Sequence, residues 1–383
     1  MKTTKPKIFR ISTIPLSLAF LLKGQIQMLS DEYEVVAVSS PGDDLKTVEK
    51  REGVRTIAIP IERKIALFKD FISLFRLIYI FQKEKPTIVH SITPKAGLLT
   101  MLAGFISGVP VRIHTFTGLI FPTSTGFKQK LLITMDRLTC FCATKIIPEG
   151  NGVKHDLIKY RITNKPLKII ANGNVNGIDL SYFDRTVEVE KQAKIWEDTS
   201  TFTFCFVGRL VKDKGINELI AAFEKLHNKY SKVRLILIGS FEPDLDPLFP
   251  ETEKLIRAHK AIRFVGFQQD IRPFLAASNA LVFPSYREGF PNVVLQAGAM
   301  GLPSIVTDIN GCNEIIHHGK NGVIIPPRNE IALYKAMEDC LLNPENTQRM
   351  VENSRQMIAE RFDQKLVWSE LKKMYKQQLE NVQ

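Results

Sequence analysis

The sequence is short of cysteine and of long apolar runs, and both shortages exclude classes of protein. Five cysteines occur among 383 residues, and their spacing matches neither a disulfide framework nor a structural zinc site. No segment approaches the roughly 18 uninterrupted apolar residues that a membrane-spanning helix needs. Unpaired cysteines suit a reducing compartment, so we expect a cytoplasmic protein without a transmembrane helix.

The start of the chain has only some features of a secretory signal peptide. Basic residues precede the apolar run 14–22, as they do in such a signal. However, Lys23-Gly24-Gln25 follows the run, where a signal would carry small residues at a cleavage site. We therefore interpret residues 1–22 as a strand, a loop and the first helix of a folded domain.

Two familiar nucleotide-binding motifs are also missing. The sequence contains neither Gly-x-x-x-x-Gly-Lys-Ser/Thr nor Gly-x-Gly-x-x-Gly, which argues against a P-loop enzyme and weakens a nicotinamide-binding interpretation. It has no recognised basic-aromatic motif of a nucleic-acid-binding module either. We expect no nucleic-acid partner.

Positive charge is abundant and unevenly distributed. The formal net charge is +12, with 52 Lys and Arg against 40 Asp and Glu. Residues 1–184 hold 26 of the basic and 15 of the acidic residues, so 11 of the 12 excess charges lie there. A one-sided basic field suggests an anionic partner: a phosphorylated acceptor, an anionic lipid surface or, without a motif to support it, a nucleic acid. Charge that only keeps the protein soluble is the alternative.

Length and hydrophobic patterning predict two α/β domains. A chain of 383 residues exceeds one ordinary core, and short apolar runs alternate with helical segments throughout. That alternation predicts parallel sheets with crossover helices, and hence two Rossmann-like domains that face a cleft. The predicted strands lie near residues 8–11, 35–38, 56–59, 87–90, 111–114, 145–147, 168–170, 202–207, 234–238, 263–265, 280–283, 304–307 and 322–325.

A polar, charge-rich segment marks the predicted domain boundary. We place the first domain at 1–185, a linker at 186–200 and the second domain at 201–362. Apolar residues at helical spacing predict a helix over 363–383, which we expect to pack towards the first domain. Ligands of such sheets bind beyond the carboxyl ends of the strands, and three candidate motifs fall at those ends.

The first motif, 206–215, follows the first predicted strand of the second domain. Gly208 permits close approach of the backbone to a ligand. Arg209 offers a planar fork of donors and Lys214 a mobile point charge, a combination that suits a diphosphate. A surface loop with ordinary cations is the alternative.

The second motif, 284–303, joins an apolar strand to a helix through a polar loop. Pro291 suits the first helical position and Gly301 the residue past the end. Backbone N–H groups at the helix start could bind phosphate or sugar oxygens. Glu288 would accept hydrogen bonds from sugar hydroxyl groups, whereas an ion pair with Arg287 or an ordinary surface charge is the alternative.

The third motif, 307–316, again follows a predicted strand. Gly311 permits a tight turn, and Glu314 begins a helix. A carboxylate there can stabilise the helix dipole or hold ligand hydroxyl groups, and the sequence leaves both open. Recognition of a base and a sugar would depend on the shape of the pocket around positions such as Phe267 and Ile271.

Residues 63–85 combine basic side chains with aromatic and aliphatic ones. This pattern predicts an amphipathic helix that could lie on anionic lipid. A crossover helix with a core face is the ordinary alternative, and both can hold. Lys128, Lys130 and Arg137 add to the basic side.

Together the three motifs resemble the donor site of the family-4 retaining glycosyltransferases, which have the GT-B fold. The resemblance rests on Gly208-Arg209-Leu210 with Lys214, on the segment 288–292, and on Gly311 with Glu314. It spans nearly the whole chain. In the first half, segments 90–97, 112–119 and 176–179 resemble the branch that builds bacterial capsule, O-antigen and related surface polysaccharides.

The resemblance implies roles for individual residues. Arg209 and Lys214 would neutralise the donor diphosphate, Glu288 would contact the donor sugar, and His114 would reach that sugar from the other domain. We expect these four residues to act in catalysis. The same donor pocket would include Gly208, Phe267, Ile271, Gly289, Phe290, Asn292, Val293, Gln296 and Glu314.

The family's second acidic residue is replaced by Gln296 in this sequence. Glutamine keeps a hydrogen-bond acceptor and adds donors, so ligand binding can persist, whereas a role that needs negative charge cannot. No carboxylate pair for a glycosidase-like double displacement is evident, and the resemblance implies same-face attack with retained configuration. Asp244-Leu245-Asp246 lies in a proline-rich loop, and we interpret it as no metal site. We expect no metal and no cofactor.

The sequence therefore predicts a hexosyl- or N-acetylhexosaminyl-transferase of surface polysaccharide synthesis. It would move a sugar from a nucleotide-diphosphate sugar to a polyprenyl-diphosphate-linked saccharide, with a UDP-sugar favoured and a GDP-sugar still open. We expect an anionic membrane surface as a further partner and a peripheral location on the inner face of the cell membrane. A sugar-nucleotide epimerase or hydrolase of the same two-domain fold is the alternative.

Overall fold

Parallel strands and helices alternate along the chain, as the sequence predicts. The computed structural model describes residues 5–64, 66–244 and 246–382. The strands are β1 Lys7–Ile11, β2 Glu34–Ser39, β3 Arg55–Ala58, β4 Ile88–Ser91, β5 Val111–Phe116, β6 Lys145–Pro148, β7 Phe202–Val207, β8 Val233–Ile238, β9 Ile262–Phe264, β10 Ala280–Phe283, β11 Ser304–Thr307 and β12 Gly322–Ile325. The α-helices are α1 Pro15–Leu21, α2 Gln25–Ser30, α3 Asp43–Glu52, α4 Leu67–Glu84, α5 Pro94–Ile106, α6 Gly126–Cys142, α7 Asn151–Lys159, α8 Val187–Ala193, α9 Ile216–Lys229, α10 Pro250–Ala258, α11 Arg272–Ala276, α12 Asn292–Ala299, α13 Cys312–Ile315, α14 Glu330–Leu342, α15 Pro344–Phe362 and α16 Gln364–Glu380.

The chain forms two units, and the division falls earlier than the sequence predicts. The first unit ends at Gly177 and resumes with α16, and the second takes the residues between. Segment 186–200, which we predicted to be a linker, contains α8, whose Val189 and Ala193 are buried in the second unit's core. These side chains lie four residues apart on one helix face. The polar segment therefore has an apolar stripe that the second unit covers.

The first unit is built on a six-stranded sheet in the order β3-β2-β1-β4-β5-β6, and every neighbouring pair is parallel. Successive side chains of a strand point to opposite faces. Accordingly, β1 sends Phe9 and Ile11 into one apolar cluster and Ile8 into another. Helices cover both faces, so the inner strands are buried on both sides, as their apolar runs predict, whereas the edge strand β3 is partly exposed.

The chain start folds as the sequence predicts. After β1, helix α1 begins at Pro15 and buries Leu18 and Ala19. Residues 1–4 of the predicted segment lie outside the described residues. Among the described residues, no helix combines the length and the hydrophobicity that crossing a membrane requires.

The C-terminal helix α16 belongs to the first unit and packs on one face of its sheet. The buried Tyr375 hydroxyl accepts a hydrogen bond from Arg10 at 2.7 Å and lies 2.6 Å from His90 Nδ1. The Trp368 indole N–H donates to Asn176 Oδ1 at 2.7 Å. Leaving such a buried polar group without a partner costs about 1–3 kcal/mol, so these bonds fix the helix on this unit.

The second unit repeats the architecture with the strand order β12-β11-β10-β7-β8-β9, again all parallel. Its apolar core contains fully buried aromatic side chains from the central strands, among them Phe204, Phe206 and Phe283. Since β7 and β10 are neighbours in the middle of this sheet, the loops that follow them lie at one sheet edge.

One predicted strand does not form. We predicted a strand at 168–170, but in this segment the described chain makes only an isolated bridge between Leu167 and Ile146. Pro166 precedes the bridge and has no N–H to donate to a ladder. The remaining predicted strands are present, with ends that differ by a residue or two.

Candidate active site

The three motifs of the second unit meet at the carboxyl-end edge of its sheet. Segment 208–215 follows β7, segment 284–291 follows β10, and segment 308–314 follows β11. In a parallel sheet the carboxyl ends of all strands lie at the same edge, which is where such folds bind ligands. The sequence motifs therefore form one site.

Glycine residues let adjacent strand ends approach each other closely. Gly208 and Gly239 follow β7 and β8, with φ of 153° and 144°. A Cβ on Gly239 would lie 1.8 Å from the carbonyl oxygen of Gly208, which no side chain can tolerate. Sequence reasoning found Gly208 but missed Gly239, although a glycine directly after a buried strand is the same signal.

Lys214 and Glu288 form an ion pair at this edge. The Lys214 ammonium donates a hydrogen bond to Glu288 Oε1, which also accepts one from Ser285 Oγ at 2.8 Å. Both side chains are only 16% exposed. The predicted phosphate-binding cation and the predicted sugar-binding carboxylate therefore touch. The alternative for Glu288, a pair with Arg287, is wrong, because Arg287 binds Asp213 at 2.9 Å.

A tight turn brings Lys214 to this position. The 3₁₀ turn Lys212–Lys214 ends at Gly215, whose φ is 69°. A Cβ on Gly215 would lie 2.2 Å from the carbonyl oxygen of Pro284. Only glycine therefore allows the turn to pack directly against the end of β10.

The third motif packs against the second through another glycine. Gly311 has φ of 75°, and a Cβ there would lie 2.5 Å from the carbonyl oxygen of Gly289. The Glu314 carboxylate accepts a long hydrogen bond of 3.4 Å from the Gly311 backbone N–H. Glu314 thus caps the start of α13, which supports the helix-end interpretation. A ligand contact for Glu314 stays a prediction.

Cys312 lies buried close to Glu288 and Lys214. Burial raises the pKa of its thiol well above the ordinary value, and the negative charge of Glu288 raises that pKa further. The thiol is therefore protonated at neutral pH and is no nucleophile.

Arg209 has a partner that sequence reasoning did not find. Its Nη1 lies 2.6 Å from the carboxylate of Glu242, in the loop after β8. The Arg209 side chain is 46% exposed, so its guanidinium remains accessible to an anionic ligand. Glu242 follows a strand end without any recognisable motif, which is why the sequence did not single it out.

The remaining donor-pocket candidates divide into core and accessible residues. Phe290 is 5% exposed and packs on Phe362, so it supports the site from the core. Helix α12 begins one residue later than predicted, with Pro291 as its N-cap. Four other candidates have half-buried side chains, namely Ile271, Asn292, Val293 and Gln296, and the Phe267 side chain is exposed.

His114 lies in the first unit, in β5. It is 1% exposed, its Nδ1 lies 2.9 Å from Ser91 Oγ, and its ring fills the space above Gly97, where a Cβ would lie 2.3 Å from Cε1. Burial lowers the pKa of His114 to about 3. The imidazole is therefore neutral at physiological pH and can act only as a hydrogen-bonding group.

Asp246, part of the Asp-x-Asp pattern, has a structural task. Its Oδ2 accepts a hydrogen bond of 2.7 Å from the Asp213 backbone N–H, which holds the loop that carries Lys214. Leu245 lies outside the described residues. Within the ranges that the structure describes, no group of three or more His, Cys, Asp or Glu could hold a metal ion.

Two family models match the chain. The model described as Glycosyltransferase Family 4 matches residues 24–175, within the first unit. The model described as Glycosyl transferases group 1 matches residues 188–357, within the second.

Related proteins cover nearly the whole length of the chain. The capsular polysaccharide biosynthesis glycosyltransferase CapM of Staphylococcus aureus is 36% identical over 375 residues, which is 96% of each chain. The UDP-Gal:α-D-GlcNAc-diphosphoundecaprenol α-1,3-galactosyltransferase of Escherichia coli is 29% identical over 387 residues, with 95% of each chain covered.

A solved structure shows the same fold. Anabaena HepE in complex with UDP and glucose superposes with a TM-score of 0.80 at 18% identity, covering 97% of this chain and 100% of that one. The identity to CapM extends over both units. The chain therefore belongs to the family-4 glycosyltransferases and has the GT-B fold.

Proposed function

We propose that this glycosyltransferase moves a sugar from a nucleotide-diphosphate sugar to a polyprenyl-diphosphate-linked saccharide, with retention of configuration. The observation that carries the proposal is the contact of Lys214 with Glu288 at the sheet edge. A cation suited to phosphate and a carboxylate suited to sugar hydroxyl groups meet there. A ligand that contains both a diphosphate and a sugar matches that pair.

The relatives support the donor and the acceptor of this proposal. The E. coli relative is named for transfer of galactose from UDP-Gal to a diphosphoundecaprenol-linked sugar, and the S. aureus relative for capsular polysaccharide biosynthesis. A UDP-hexose or UDP-N-acetylhexosamine is accordingly the favoured donor, with a GDP-sugar as the second choice.

The charges that develop during the reaction indicate a role for each residue. Cleavage of the sugar–phosphate bond leaves negative charge on the diphosphate and positive charge on the sugar ring. Arg209 and Lys214 would stabilise the departing diphosphate, together with the N–H groups at the start of α12. Glu288 would hold the sugar through its hydroxyl groups. The acceptor oxygen would attack from the face that the diphosphate leaves.

His114 would take part as a neutral group. With Ser91 at Nδ1, the other ring nitrogen is the one that would bond a hydroxyl group of the sugar. A protonated imidazole would repel the positive charge that develops on the ring, so the low pKa of His114 suits this role.

Transfer of radiolabelled sugar tests the proposal. Purified protein is incubated with a panel of UDP- and GDP-sugars and a polyprenyl-diphosphate-linked saccharide, and lipid-linked label is counted. Glu288→Gln should lower transfer by about 10²-fold or more, as loss of a group that acts in the transition state does. Glu330→Gln, which breaks an ion pair with Lys225 elsewhere in the second unit, is the matched control.

The same assay without acceptor separates the alternative. A glycosyltransferase should leave the sugar nucleotide largely intact, whereas an epimerase or hydrolase would produce the epimer or free sugar rapidly. Transfer that is unaffected by Glu288→Gln would contradict the assigned site, and rapid acceptor-free conversion would contradict the assigned reaction.

We also propose that the first unit binds the membrane through the outer surface of α4, α5 and α6. Helix α5 packs between the other two, and Phe105 of α5 lies 5.9 Å from Phe141 of α6, centroid to centroid. The large apolar side chains that these helices expose are Leu67, Phe68, Phe71, Ile72, Phe75, Tyr79, Phe105, Ile106, Phe127, Leu131, Leu138 and Phe141.

Helix α4 has a core face, as a crossover helix does, and also an exposed apolar face. Helix α4 buries Ser73, Leu77 and Phe81 against the core, and it also exposes an aromatic row in which Phe68 is 79% exposed. Exposed large apolar side chains on adjacent helices are typical of an interaction surface. Helices α4 and α6 also expose cations, namely Lys69, Arg76, Lys83, Lys128, Lys130 and Arg137, and this combination suits anionic lipid.

Co-sedimentation with vesicles tests the membrane surface. Wild-type protein should bind phosphatidylglycerol-containing vesicles more strongly than pure phosphatidylcholine ones. The double variant Phe68→Ser/Phe71→Ser should lose about tenfold or more of that binding, since each buried apolar side chain contributes roughly 1.5–3 kcal/mol. Ile331→Ser, at an exposed apolar residue of the second unit, is the control. Equal vesicle binding by all three proteins would contradict the proposal that this surface binds the membrane.

A further inference from the structure

Glu242 is an acidic residue at the donor edge that no sequence motif includes. It follows β8, and its carboxylate lies 2.6 Å from Arg209 Nη1. Glu242 is 25% exposed and Arg209 46% exposed. The cation that we assign to the donor diphosphate is therefore paired with a carboxylate of the same unit.

The loops that carry these two residues are fixed to each other. The Leu210 backbone N–H donates to the carbonyl oxygen of Ser240 at 2.9 Å, and Leu210 and Phe241 form a parallel bridge. Further along the same two loops, the Asp246 carboxylate accepts a hydrogen bond of 2.7 Å from the Asp213 backbone N–H. The pair of Arg209 with Glu242 thus joins two loops whose backbones are already in register, unlike a chance contact of two flexible surface side chains.

We propose that Glu242 is a positioning residue that holds Arg209 and competes with the donor diphosphate for it. The inference rests on the proposed function, because it takes the ligand of Arg209 to be a diphosphate. A guanidinium binds carboxylate and phosphate with the same planar fork, so one partner can replace the other. The diphosphate then competes with Glu242 for the Arg209 guanidinium, and its binding places two like charges near each other.

This exchange has a consequence for turnover. A nucleoside diphosphate is the product that remains after transfer, and it must leave before the next donor binds. A carboxylate that recaptures Arg209 favours that release. Glu242 would therefore weaken the binding of donor and product alike, and its effect should appear on every ligand that carries a diphosphate.

Calorimetric titration separates the parts of the proposal. UDP, GDP and uridine are titrated into wild-type protein, Glu242→Gln, Arg209→Gln and the double variant. Glu242→Gln should tighten UDP binding by about 1.5- to 5-fold, the range of a partly exposed charge pair, and leave uridine binding unchanged. High salt should reduce the gain, because it screens exposed charges.

The double variant shows whether Glu242 acts through Arg209. Once Arg209→Gln has removed the guanidinium, Glu242→Gln should bring much less further gain. Glu330→Gln removes the same charge from the second unit and should leave UDP binding as it is in the wild type. A gain that persists in full without Arg209 would mean that Glu242 acts as a general repulsive charge, which overturns the proposal.

Failure of this inference is distinguishable from failure of the proposed function. If wild-type protein binds UDP or GDP and Glu242→Gln binds it equally or more weakly, Glu242 does not compete for Arg209 and only the inference falls. If wild-type protein binds neither nucleoside diphosphate, the proposed donor chemistry fails, and the inference falls with it.

Discussion

The Lys214 ammonium group donates a hydrogen bond to the Glu288 carboxylate across 74 residues of sequence. Two motifs that are separate in the sequence are thus joined by one ion pair. Because both side chains are largely buried, neither can lose its partner without leaving a poorly solvated charge. The pair therefore constrains how a donor can be bound.

Lys214 and Glu288 should behave as a unit in sugar transfer. Lys214→Met and Glu288→Gln should each lower transfer by about 10²-fold or more, and the double variant should be little worse than either single one, because residues that act together are not additive. Steady-state transfer assays on the four proteins measure the coupling. Fully multiplicative losses would show that the two residues act independently.

Gly239→Ala should damage both the stability of the second unit and UDP binding. The new Cβ would overlap the Gly208 carbonyl oxygen at 1.8 Å, so two backbones must separate, at a cost of about 1–3 kcal/mol. Denaturant unfolding followed by Trp196 fluorescence, in a Trp368→Phe background, measures the cost in this unit. Gly319→Ala is the control, since Gly319 also has positive φ but no atom near its Cβ position. An equal loss of stability in Gly239→Ala and Gly319→Ala would show that the close approach of Gly239 to Gly208 is not the cause.

Gln296→Glu should bring no gain in transfer. Gln296 is half-buried on α12, and a carboxylate there would add negative charge to a site that we expect to bind a diphosphate sugar. Kinetic assays of Gln296→Glu and Gln296→Ala compare a charge with a truncation. A large gain in the glutamate variant would show that this chain has lost a function of the family's second acid.

Asp136→Asn should stabilise the first unit at neutral pH. Asp136 lies half-buried on α6, and burial raises the pKa of its carboxyl to about 7. The folded state therefore holds a proton that the unfolded state, with a pKa near 4, releases. The contribution of Asp136 to stability is thus complete below about pH 4 and is lost as the pH rises to about 7.

Asparagine at position 136 removes that loss. The free energy of unfolding of the variant, relative to that of wild type, should rise between about pH 4 and 7 by about 1–4 kcal/mol in total. Above about pH 7 the difference should stay constant. Unfolding followed by Trp368 fluorescence in a Trp196→Phe background reads the first unit. Asp44→Asn, at an exposed position, controls for the loss of one negative charge. A stability difference that does not vary with pH would contradict the raised pKa of Asp136.

Transfer should not depend on a divalent cation. Arg209 and Lys214 are expected to supply the positive charge for the departing diphosphate, and the Asp246 carboxylate is engaged by a backbone N–H. Activity after exhaustive treatment with EDTA should therefore stay close to that of untreated protein. Loss of activity on chelation, restored by Mg²⁺ or Mn²⁺, would contradict this expectation.

Much of the fold follows from local pattern. Alternating apolar strands and helical segments predicted two parallel sheets because each strand, buried on both faces, needs a continuous apolar run. The strand predicted at 168–170 does not form, and segment 186–200, predicted to be a linker, contains α8. Pro166 acts locally, because it has no N–H to donate, whereas burial of the apolar face of α8 depends on core residues that are distant in sequence.

At the carboxyl-end edge of the second sheet, too, the sequence determined some features and the tertiary structure others. The sequence alone determined which residues follow the strands, among them Gly208, Lys214 and Glu288, because chain order and strand direction fix that placement. Only the tertiary structure decided the partners, pairing Lys214 with Glu288 and Arg209 with Glu242. Partner choice depends on how closely neighbouring strand ends approach, and backbone contacts at Gly215 and Gly239 set that distance.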